Sequence, residues 1–244
     1  MFNYPNGRRP FFWGHRGLPS LAIENTLASF RQAEEQQLPG IECDVQWSVD
    51  GIPFIFHDDT LERLSQVPES PTALTWNELK QLRLVDPQRP HLGVGRIPLL
   101  ADLLAWMPAY LALNLEIKDQ PDLSEVHLSQ LLTQLHDAKM TERVLISSFN
   151  HHILERLHAL DSTVALATLW EGPIHYPAIL KRDSLTHVMH IPADWATPAT
   201  VDALHGLGFQ LGVWGAQDAP QVHWLTHQGV DAIFVDDPSW IPDK

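Results

Sequence analysis

Three stretches of the chain concentrate side chains that could carry out chemistry at the ends of predicted strands. These side chains belong to three classes: carboxylates, imidazoles and cations. They are Glu42, Asp44 and Glu116; His15 and His57; and Arg16 and Lys118. Carboxylates hold a hard divalent cation, imidazoles transfer protons near neutral pH, and Arg and Lys balance the charge of a phosphate. A metal-assisted attack on a phosphodiester requires this combination.

The alternation of side chains along a strand predicts which of these groups converge. Glu42 and Asp44 are two residues apart and therefore point to the same side of their strand, whereas Cys43 points to the other side. Glu116 and Lys118 share a side of a later strand for the same reason. In α/β barrels the functional side chains lie at the carboxyl ends of the strands, where all of these positions fall. Each acid alone could be a surface charge and each histidine a packed side chain, but together they favour a site.

The carboxylates also favour a particular kind of metal. An all-carboxylate set suits Mg²⁺ or Ca²⁺, whereas Zn²⁺ is usually held by His or Cys. Cys43 points away from the acids, and His15 and His57 are more useful as proton carriers. We therefore expect one divalent cation, Mg²⁺ or Ca²⁺.

The composition of the chain excludes several classes of partner. The chain has 244 residues, of which 44% are hydrophobic, and a formal net charge of −14. Lys and Arg form no run, and binding to a nucleic acid backbone needs a basic face, so we expect no nucleic acid partner. An anionic small molecule stays possible where local cations or a metal overcome the acidic field. No run approaches the ~18 apolar residues needed to cross a bilayer, so we expect no stable membrane insertion.

Two further features bear on where the protein acts. Cys43 is the single cysteine, so the chain has no internal disulfide, which suits a reducing compartment. The first ten residues are polar and contain proline, and we identify no signal peptide in them. We therefore expect a cytoplasmic protein, while the sequence does not indicate its oligomeric state.

Apolar runs of strand length recur along the chain, and helix patterns lie between most of them. The runs are residues 11–15, 41–47, 53–57, 111–117, 144–148, 164–169, 186–191, 210–214 and 231–235. Strands that alternate with helices indicate a parallel sheet. Asp50-Gly51 is a hairpin turn signal, so 53–57 should pair antiparallel with 41–47, and the other eight strands can close a TIM (β/α)₈ barrel. Whether the hairpin carries His57 to the barrel mouth is left open.

Capping signals predict where several helices begin. The predicted capping residues are Asn25, Asn150, Thr197 before Pro198, and Asp218, and Thr75 with Glu78 has the pattern of a capping box. Residues 58–110 contain helix patterns near 75–82 and 98–106 between turn-rich pieces. We interpret 58–110 as a short insertion at the active face, within a single domain that spans residues 1–244.

Together these motifs resemble those of the glycerophosphodiester phosphodiesterases. The resemblance covers nearly the whole chain, and it is specific because a His-Arg and a Glu-x-Asp element combine with a later His-Asp. The matching elements are Gly14-His15-Arg16-Gly17, Glu24-Asn25-Thr26, Glu42-x-Asp44, Asp50-Gly51, His57-Asp58, Glu116-Ile117-Lys118, Ser148-Phe149 and Gly229-Val230-Asp231 with Asp236.

The resemblance implies a TIM barrel with a small insertion after the His57 strand, and it implies a role for each class of site residue. The three carboxylates would hold one divalent cation, the histidines would be the acid and the base, and Arg16 and Lys118 would bind or stabilise the phosphate. Where the family usually has Trp-Thr-Val-Asn, this chain has Trp214-Gly215-Ala216-Gln217. This departure concerns the pocket for the alcohol, and we take Trp214 as a substrate-binding candidate.

The sequence therefore predicts metal-dependent hydrolysis of small glycerophosphodiesters to glycerol 3-phosphate and an alcohol. The attacking oxygen is either water or the neighbouring hydroxyl of the glycerol. One alternative is a lysophospholipase D-like activity on lipid, which should require an apolar mouth or an interfacial helix. Another is a catalytically inactive barrel that only binds phosphoesters, although binding alone does not need two proton carriers.

Overall fold

The computed structural model describes residue 4 and residues 10–171 and 185–242. Within these ranges the strands are β1 (Phe11–Gly14), β2 (Gly40–Trp47), β3 (Pro53–Ile55), β4 (Ala112–Ile117), β5 (Val144–Ser148), β6 (Leu166–Leu169), β7 (Val188–Pro192), β8 (Gln210–Trp214) and β9 (Ala232–Val235). The α-helices are α1 (Leu27–Glu35), α2 (Glu62–Ser65), α3 (Trp76–Leu79), α4 (Leu100–Trp106), α5 (Glu125–Asp137), α6 (His151–Leu160), α7 (Pro198–Gly206) and α8 (Ala219–His227). None of the helices in these ranges is long and apolar enough to cross a bilayer.

Eight of these strands close into a parallel barrel, which confirms the predicted TIM fold. They follow the order β1-β9-β8-β7-β6-β5-β4-β2, and β1 also pairs with β2 to complete the ring. Every pairing within the ring is parallel. Parallel neighbours need crossover connections, and the intervening helices provide most of them.

The remaining strand, β3, lies outside the ring and folds back antiparallel on β2, as the hairpin signal predicted. Gly51 in the turn has a φ of 76°, a conformation that favours glycine. Beyond the end of β3, the N–H of Phe56 donates a hydrogen bond of 3.0 Å to the carbonyl of Asp44. This bond holds the returning chain against β2, and His57 consequently reaches the barrel mouth.

Of the five helices for which the sequence predicted a capping residue, four begin at that residue. The starts of α3, α6, α7 and α8 are as predicted. For α1 the prediction is wrong by one residue, because Thr26, and not Asn25, accepts the hydrogen bond from the N–H of Ser29. Asn25 has a φ of 54°, and its side chain bonds to Asp44 in the site.

The inside of the barrel below its mouth is filled by apolar and aromatic side chains. Trp13, Leu145 and Phe234 belong to this interior cluster. The strands approach the interior rings closely, since a Cβ at Gly212 would lie 2.5 Å from the ring of His190. The larger apolar cluster lies between the strands and the helices. The interior is therefore a packed floor beneath the mouth, where the strand ends carry the polar groups.

Residues 58–110 divide into two parts that pack differently. Leu100 and Leu103 of α4 join the large cluster that surrounds the barrel. The part before α4, which includes α2 and α3, packs in a smaller cluster with Phe54 and Phe56 of the hairpin chain. The part before α4 is therefore anchored on the chain that carries His57.

Candidate active site

A cavity of about 510 Å³ opens at the carboxyl ends of the barrel strands. Most of the side chains predicted for the site line it, namely His15, Arg16, Glu42, His57, Glu116, Lys118 and Trp214. The remaining one, Asp44, is fully buried and lies beside the other two carboxylates. The structure therefore brings all the predicted site residues together.

Three carboxylates converge at one point of the cavity wall. One oxygen atom from each of Glu42, Asp44 and Glu116 lies within 4.8 Å of the other two. The register of β2 and β4 places them, because Asp44 pairs directly with Glu116 and Glu42 pairs with Asn114. All three acids are buried or nearly so, and their charges therefore repel one another with little screening by water.

The carboxylates fit a divalent cation. Burial, and then the charges of Asp44 and Glu116, raise the pKa of Glu42 well above its usual value. Burial and Asp44 also raise the pKa of Glu116. In addition, Oδ1 of Asp44 is buried and has no hydrogen-bond partner among the described residues. A carboxylate oxygen without a hydrogen bond, beside two further acids, is a donor set that a hard cation binds.

Asn25 and Arg16 determine which oxygen of Asp44 is left for a ligand. Nδ2 of Asn25 donates a hydrogen bond of 2.8 Å to Oδ2 of Asp44, and Nε of Arg16 lies 3.5 Å from the same oxygen. Nζ of Lys118 lies 3.7 Å from Oδ1. Burial alone would raise the pKa of Asp44, but the nearby positive charges, first that of Arg16, lower it. Asp44 is therefore ionised, with Oδ1 available to a cation.

Two cations flank the acids. Nζ of Lys118 donates a hydrogen bond of 2.8 Å to Glu116. The backbone N–H of Arg16 donates one of 2.8 Å to Glu42, and its guanidinium donates one of 2.8 Å to Glu24. Burial would lower the pKa of Lys118, but the neighbouring carboxylates raise it, so the ammonium stays charged. Both side chains line the cavity and can offset the charge of a phosphate.

Each of the two histidines is paired with an aspartate. Nδ1 of His15 lies 2.7 Å from Asp236, and Nδ1 of His57 lies 2.7 Å from Asp58. Such a pairing fixes the ring and leaves Nε2 as the nitrogen for proton transfer. The two histidine side chains are 27% and 32% exposed, so a substrate in the cavity can reach both.

A strained turn after β1 carries His15 and Arg16. Arg16 has a φ of 54° and Gly17 a φ of 85°. Oγ of Ser29, from α1, accepts from the N–H of Leu18 over 2.8 Å and donates to the carbonyl of Arg16 over 3.0 Å. A Cβ at Gly17 would lie 2.3 Å from that hydroxyl, so the close approach of the turn to α1 requires glycine.

The sequence alone did not assign a site role to several residues that the structure places here. Asp58 follows a site histidine directly and Asp236 follows the end of β9, so their positions were the signal that could have found them. Glu24 and Asn25 precede α1 and belong to one of the matching motif elements, but the sequence assigned Asn25 only the role of a helix cap and assigned no role to Glu24. Arg63 bonds to both Glu24 and Asp58, and no pattern in the sequence singles it out.

The wall formed by β5, β6 and β8 has a different character. The rings of Phe149 and Trp214 lie 5.8 Å apart at 88° to each other. Leu169 and Glu171 line the same cavity. An aromatic and aliphatic surface beside a charged centre suits the carbon skeleton of a small organic phosphoester.

Comparison with known proteins places these features in a family. The model of the Glycerophosphoryl diester phosphodiesterase family matches residues 15–239. The chain is 29% identical over 234 residues to a glycerophosphodiester phosphodiesterase of Bacillus altitudinis, covering 93% of this chain and 94% of the relative. It is 27% identical over 225 residues to one of Caldanaerobacter subterraneus subsp. tengcongensis, covering 92% and 93%.

A solved structure shows a similar fold. The structure of an Oleispira antarctica phosphodiesterase in complex with the product sn-glycerol-3-phosphate matches with a TM-score of 0.85 and 29% identity. The match covers 94% of both chains. The similarity therefore extends over the barrel and its mouth.

Proposed function

Because the chain belongs to the glycerophosphoryl diester phosphodiesterase family, we propose that its barrel mouth hydrolyses glycerophosphodiesters to glycerol 3-phosphate and an alcohol. The observation that carries this function is the convergence of three buried carboxylates and two aspartate-paired histidines on one cavity. A barrel that only bound phosphoesters would have no use for two oriented proton carriers, so the inactive alternative is disfavoured.

Each class of site residue has its own role in the reaction. Glu42, Asp44 and Glu116 would hold one divalent cation, Mg²⁺ or Ca²⁺, which when bound withdraws charge from a phosphate oxygen. One of His15 and His57 takes the proton of the attacking oxygen, and the other donates a proton to the leaving alcohol. The side chains that flank the acids, Arg16 and Lys118, offset the charge that gathers on the phosphate oxygens, and Trp214 packs against the organic part of the substrate.

The attacking oxygen belongs either to water or to the substrate itself. We favour the free hydroxyl of the glycerol next to the ester. That hydroxyl forms a bond to phosphorus as the alcohol leaves with a proton, and water then opens the cyclic phosphate. An internal nucleophile already held in place has a large advantage in effective concentration over water. A substrate that lacks this hydroxyl should bind without turnover. Hydrolysis within about tenfold of the parent rate, ~1.4 kcal/mol of barrier, would instead support direct attack by water.

Further proposals concern the setting of the reaction. The single cysteine, Cys43, is buried and free, which supports a cytoplasmic location. The closed barrel supports a single domain over residues 1–244. The substrate is a small molecule. The net charge of −14 argues against nucleic acid as a partner, because binding to its backbone needs a basic face.

A comparison of substrates tests the function. Soluble glycerophosphodiesters with choline, ethanolamine and glycerol head groups are offered beside lysophospholipid micelles, and glycerol 3-phosphate is measured. We expect turnover of several head groups with similar kcat and poor turnover of the micelles. A clear preference for the micelles would favour the lipid-cleaving alternative. No turnover of any substrate with Mg²⁺ or Ca²⁺ present would favour the inactive barrel.

A further inference from the structure

Arg63 lies on α2, outside the residues that line the cavity, yet its guanidinium joins two carboxylates of the site. Nη1 and Nη2 donate to the two carboxylate oxygens of Glu24 over 2.8 and 2.7 Å. Nε and Nη2 donate to the two oxygens of Asp58 over 2.7 and 3.0 Å. Each carboxylate thus accepts two hydrogen bonds from one planar group, a geometry that a guanidinium provides and an ammonium does not.

The two carboxylates lead to different parts of the site. Asp58 lies 2.7 Å from Nδ1 of His57 at the end of the hairpin. The side chain of Glu24 is only 7% exposed, and it also accepts a hydrogen bond of 2.8 Å from Arg16. Glu24 is therefore a buried anchor, and Arg63 ties the aspartate beside His57 to it.

Arg63 has little capacity left for a direct contact with substrate. A guanidinium has five N–H groups, and the four hydrogen bonds to Glu24 and Asp58 engage most of them. Burial alone would raise the pKa of Glu24, but the hydrogen bonds from Arg63 and the positive charges around it lower that pKa. The anchor therefore stays ionised and holds the guanidinium in place.

We propose that Arg63 is a positioning residue for His57, which it holds at the cavity by clamping Asp58 to the buried Glu24. The inference rests on the proposed function, because it takes His57 as a proton carrier. Without Arg63, Glu24 keeps its bond from Arg16, whereas Asp58 loses both bonds from the guanidinium. Loss of these bonds should therefore displace His57. A displacement of about 1 Å at a reacting group costs roughly 10²-fold in rate.

Arg63→Met tests this by keeping the length of the side chain and removing the donors. We expect kcat for glycerophosphocholine to fall at least tenfold, with KM changed less than threefold because Arg16 and Lys118 still bind the phosphate. Arg63→Lys keeps the charge but cannot donate two hydrogen bonds to each of two carboxylates. Its kcat should therefore stay within threefold of the kcat of the Met variant. The Lys variant also replaces the Met variant if that one does not fold.

Arg89→Met is the matched control. Arg89, in the same segment, donates one hydrogen bond of 2.7 Å to Asp86 and one of 2.7 Å to the carbonyl of Pro19, and none of these three residues lines the cavity. We expect its kcat to stay within twofold of the wild-type value. A tenfold loss in this variant as well would mean that the segment matters only for folding, which would overturn the inference.

A double-mutant cycle separates positioning from a general loss of structure. In a His57→Ala background, Arg63→Met should lower kcat less than threefold, because the group that it positions is gone. The same tenfold loss in both backgrounds would overturn the proposal. Wild-type kcat in Arg63→Met, or full recovery in Arg63→Lys, would overturn it as well.

A measurement without turnover distinguishes failure of this inference from failure of the proposed function. The proton on Nδ1 of His57, bonded to Asp58, gives an NMR resonance that should shift or disappear in Arg63→Met and not in Arg89→Met. An unchanged resonance in Arg63→Met would overturn the inference whatever the substrate. A wild-type protein with no activity on glycerophosphodiesters would contradict the proposed function alone.

Discussion

At the scale of single residues, the three carboxylates of the site can all stay ionised only beside positive charge. Burial and mutual repulsion raise the pKa of Glu42 and of Glu116. Arg16 and Lys118 supply part of the compensation, and a bound divalent cation would supply the rest. Binding of the cation should consequently stabilise the folded protein.

A cation should raise the Tm of the wild-type protein and not that of Glu42→Gln, Asp44→Asn or Glu116→Gln. A ligand at 100 times its Kd adds about 2.7 kcal/mol to the free energy of unfolding, and each variant removes one charged ligand group. Thermal unfolding with and without Mg²⁺ or Ca²⁺ measures the shift. Asp137→Asn, at an exposed position of α5, should keep it. A shift that persists in all three variants would rule out these ligands.

Asn25→Gly should weaken cation binding by roughly 10–100-fold, because it removes the group that orients Asp44. Glycine accepts the φ of 54° at this position, so the fold should persist. Asn25→Ala removes the same amide but strains the backbone, so it should match the Gly variant in affinity and be less stable. Titration calorimetry and urea unfolding measure the two quantities. Unchanged affinity in the Gly variant would refute the orienting role.

The sequence predicted the acids of the site better than the residues that orient them. The period of two along a strand is enough to place Glu42 and Asp44 on one side. Asn25 stands just before a helix, where an amide side chain is equally suited to capping. The left-handed backbone and the bond to Asp44 distinguish the two roles, and both depend on contacts between distant parts of the chain.

At the scale of elements, two chain segments each bring one histidine to the mouth. The turn after β1 carries His15, and the β2–β3 hairpin leads to His57. The turn is held by α1 through Ser29, while the hairpin packs on the segment that contains α2 and α3. The two proton carriers therefore depend on different local structures.

Gly17→Ala should destabilise the protein more than Gly229→Ala, at a glycine whose added Cβ would meet no atom within 4 Å, and should also lower kcat. Both glycines have positive φ, at 85° and 78°, so each substitution strains the backbone by about 1–2 kcal/mol. Only at Gly17 does the added Cβ meet Ser29, which should cost about 1–3 kcal/mol more and displace His15. Urea unfolding and steady-state kinetics measure both effects. Equal destabilisation in the two variants would show that the clash is relieved.

The sequence predicted the strands and the hairpin, but it did not place the hairpin. Alternating apolar patterns and the Asp50-Gly51 turn are local signals, and the structure confirms them. The path of the hairpin depends on packing with residues further along the chain, such as Leu79 and Leu84, which belong to the same apolar cluster as Phe56. The helix near 75–82 is also shorter than expected: it ends at Leu79, and Arg96 donates hydrogen bonds to the backbone carbonyls of residues 80–82 that follow it.

At the scale of the whole molecule, the barrel has a buried floor beneath a polar mouth. Nε1 of Trp13 donates to the hydroxyl of Tyr4 over 3.0 Å, and that hydroxyl lies 2.8 Å from Nε2 of His190. Burial lowers the pKa of His190 to about 3. The imidazole is therefore neutral in the folded barrel and resists protonation.

Acid should destabilise the wild-type protein more than His190→Leu. The unfolded chain takes up a proton on this histidine near its ordinary pKa of 6.5, and the folded protein does so only near 3. Stability is thus lost as the pH falls through this window, by up to ~1.4 kcal/mol per pH unit. Between pH 7 and 5 the variant should lose ~2 kcal/mol less than the wild type.

Urea unfolding at the two pH values measures this difference in the free energy of unfolding. His187→Gln, at an exposed position just before β7, is the control and should lose as much stability as the wild type. An equal loss in wild type and His190→Leu would mean that the folded barrel accommodates the charged ring.

The closure of the barrel was predictable because few topologies satisfy eight strands that alternate with helices. The side chains that fill the interior of the barrel could not be predicted in this way. Tyr4 lies in a stretch without strand or helix pattern, yet it packs inside the barrel against Trp13 and His190. Contacts of this kind join ends of the chain about 186 residues apart, and no local pattern encodes them.

We propose that the buried carboxylates make this barrel a cation-dependent glycerophosphodiester hydrolase. The most direct test measures glycerol 3-phosphate released from glycerophosphocholine in excess chelator and after Mg²⁺ or Ca²⁺ is restored, with Asp44→Asn as the paired variant. We predict no turnover in chelator, recovery with the cation in the wild-type protein, and no recovery in the variant. Full release of glycerol 3-phosphate in excess chelator would contradict the claim.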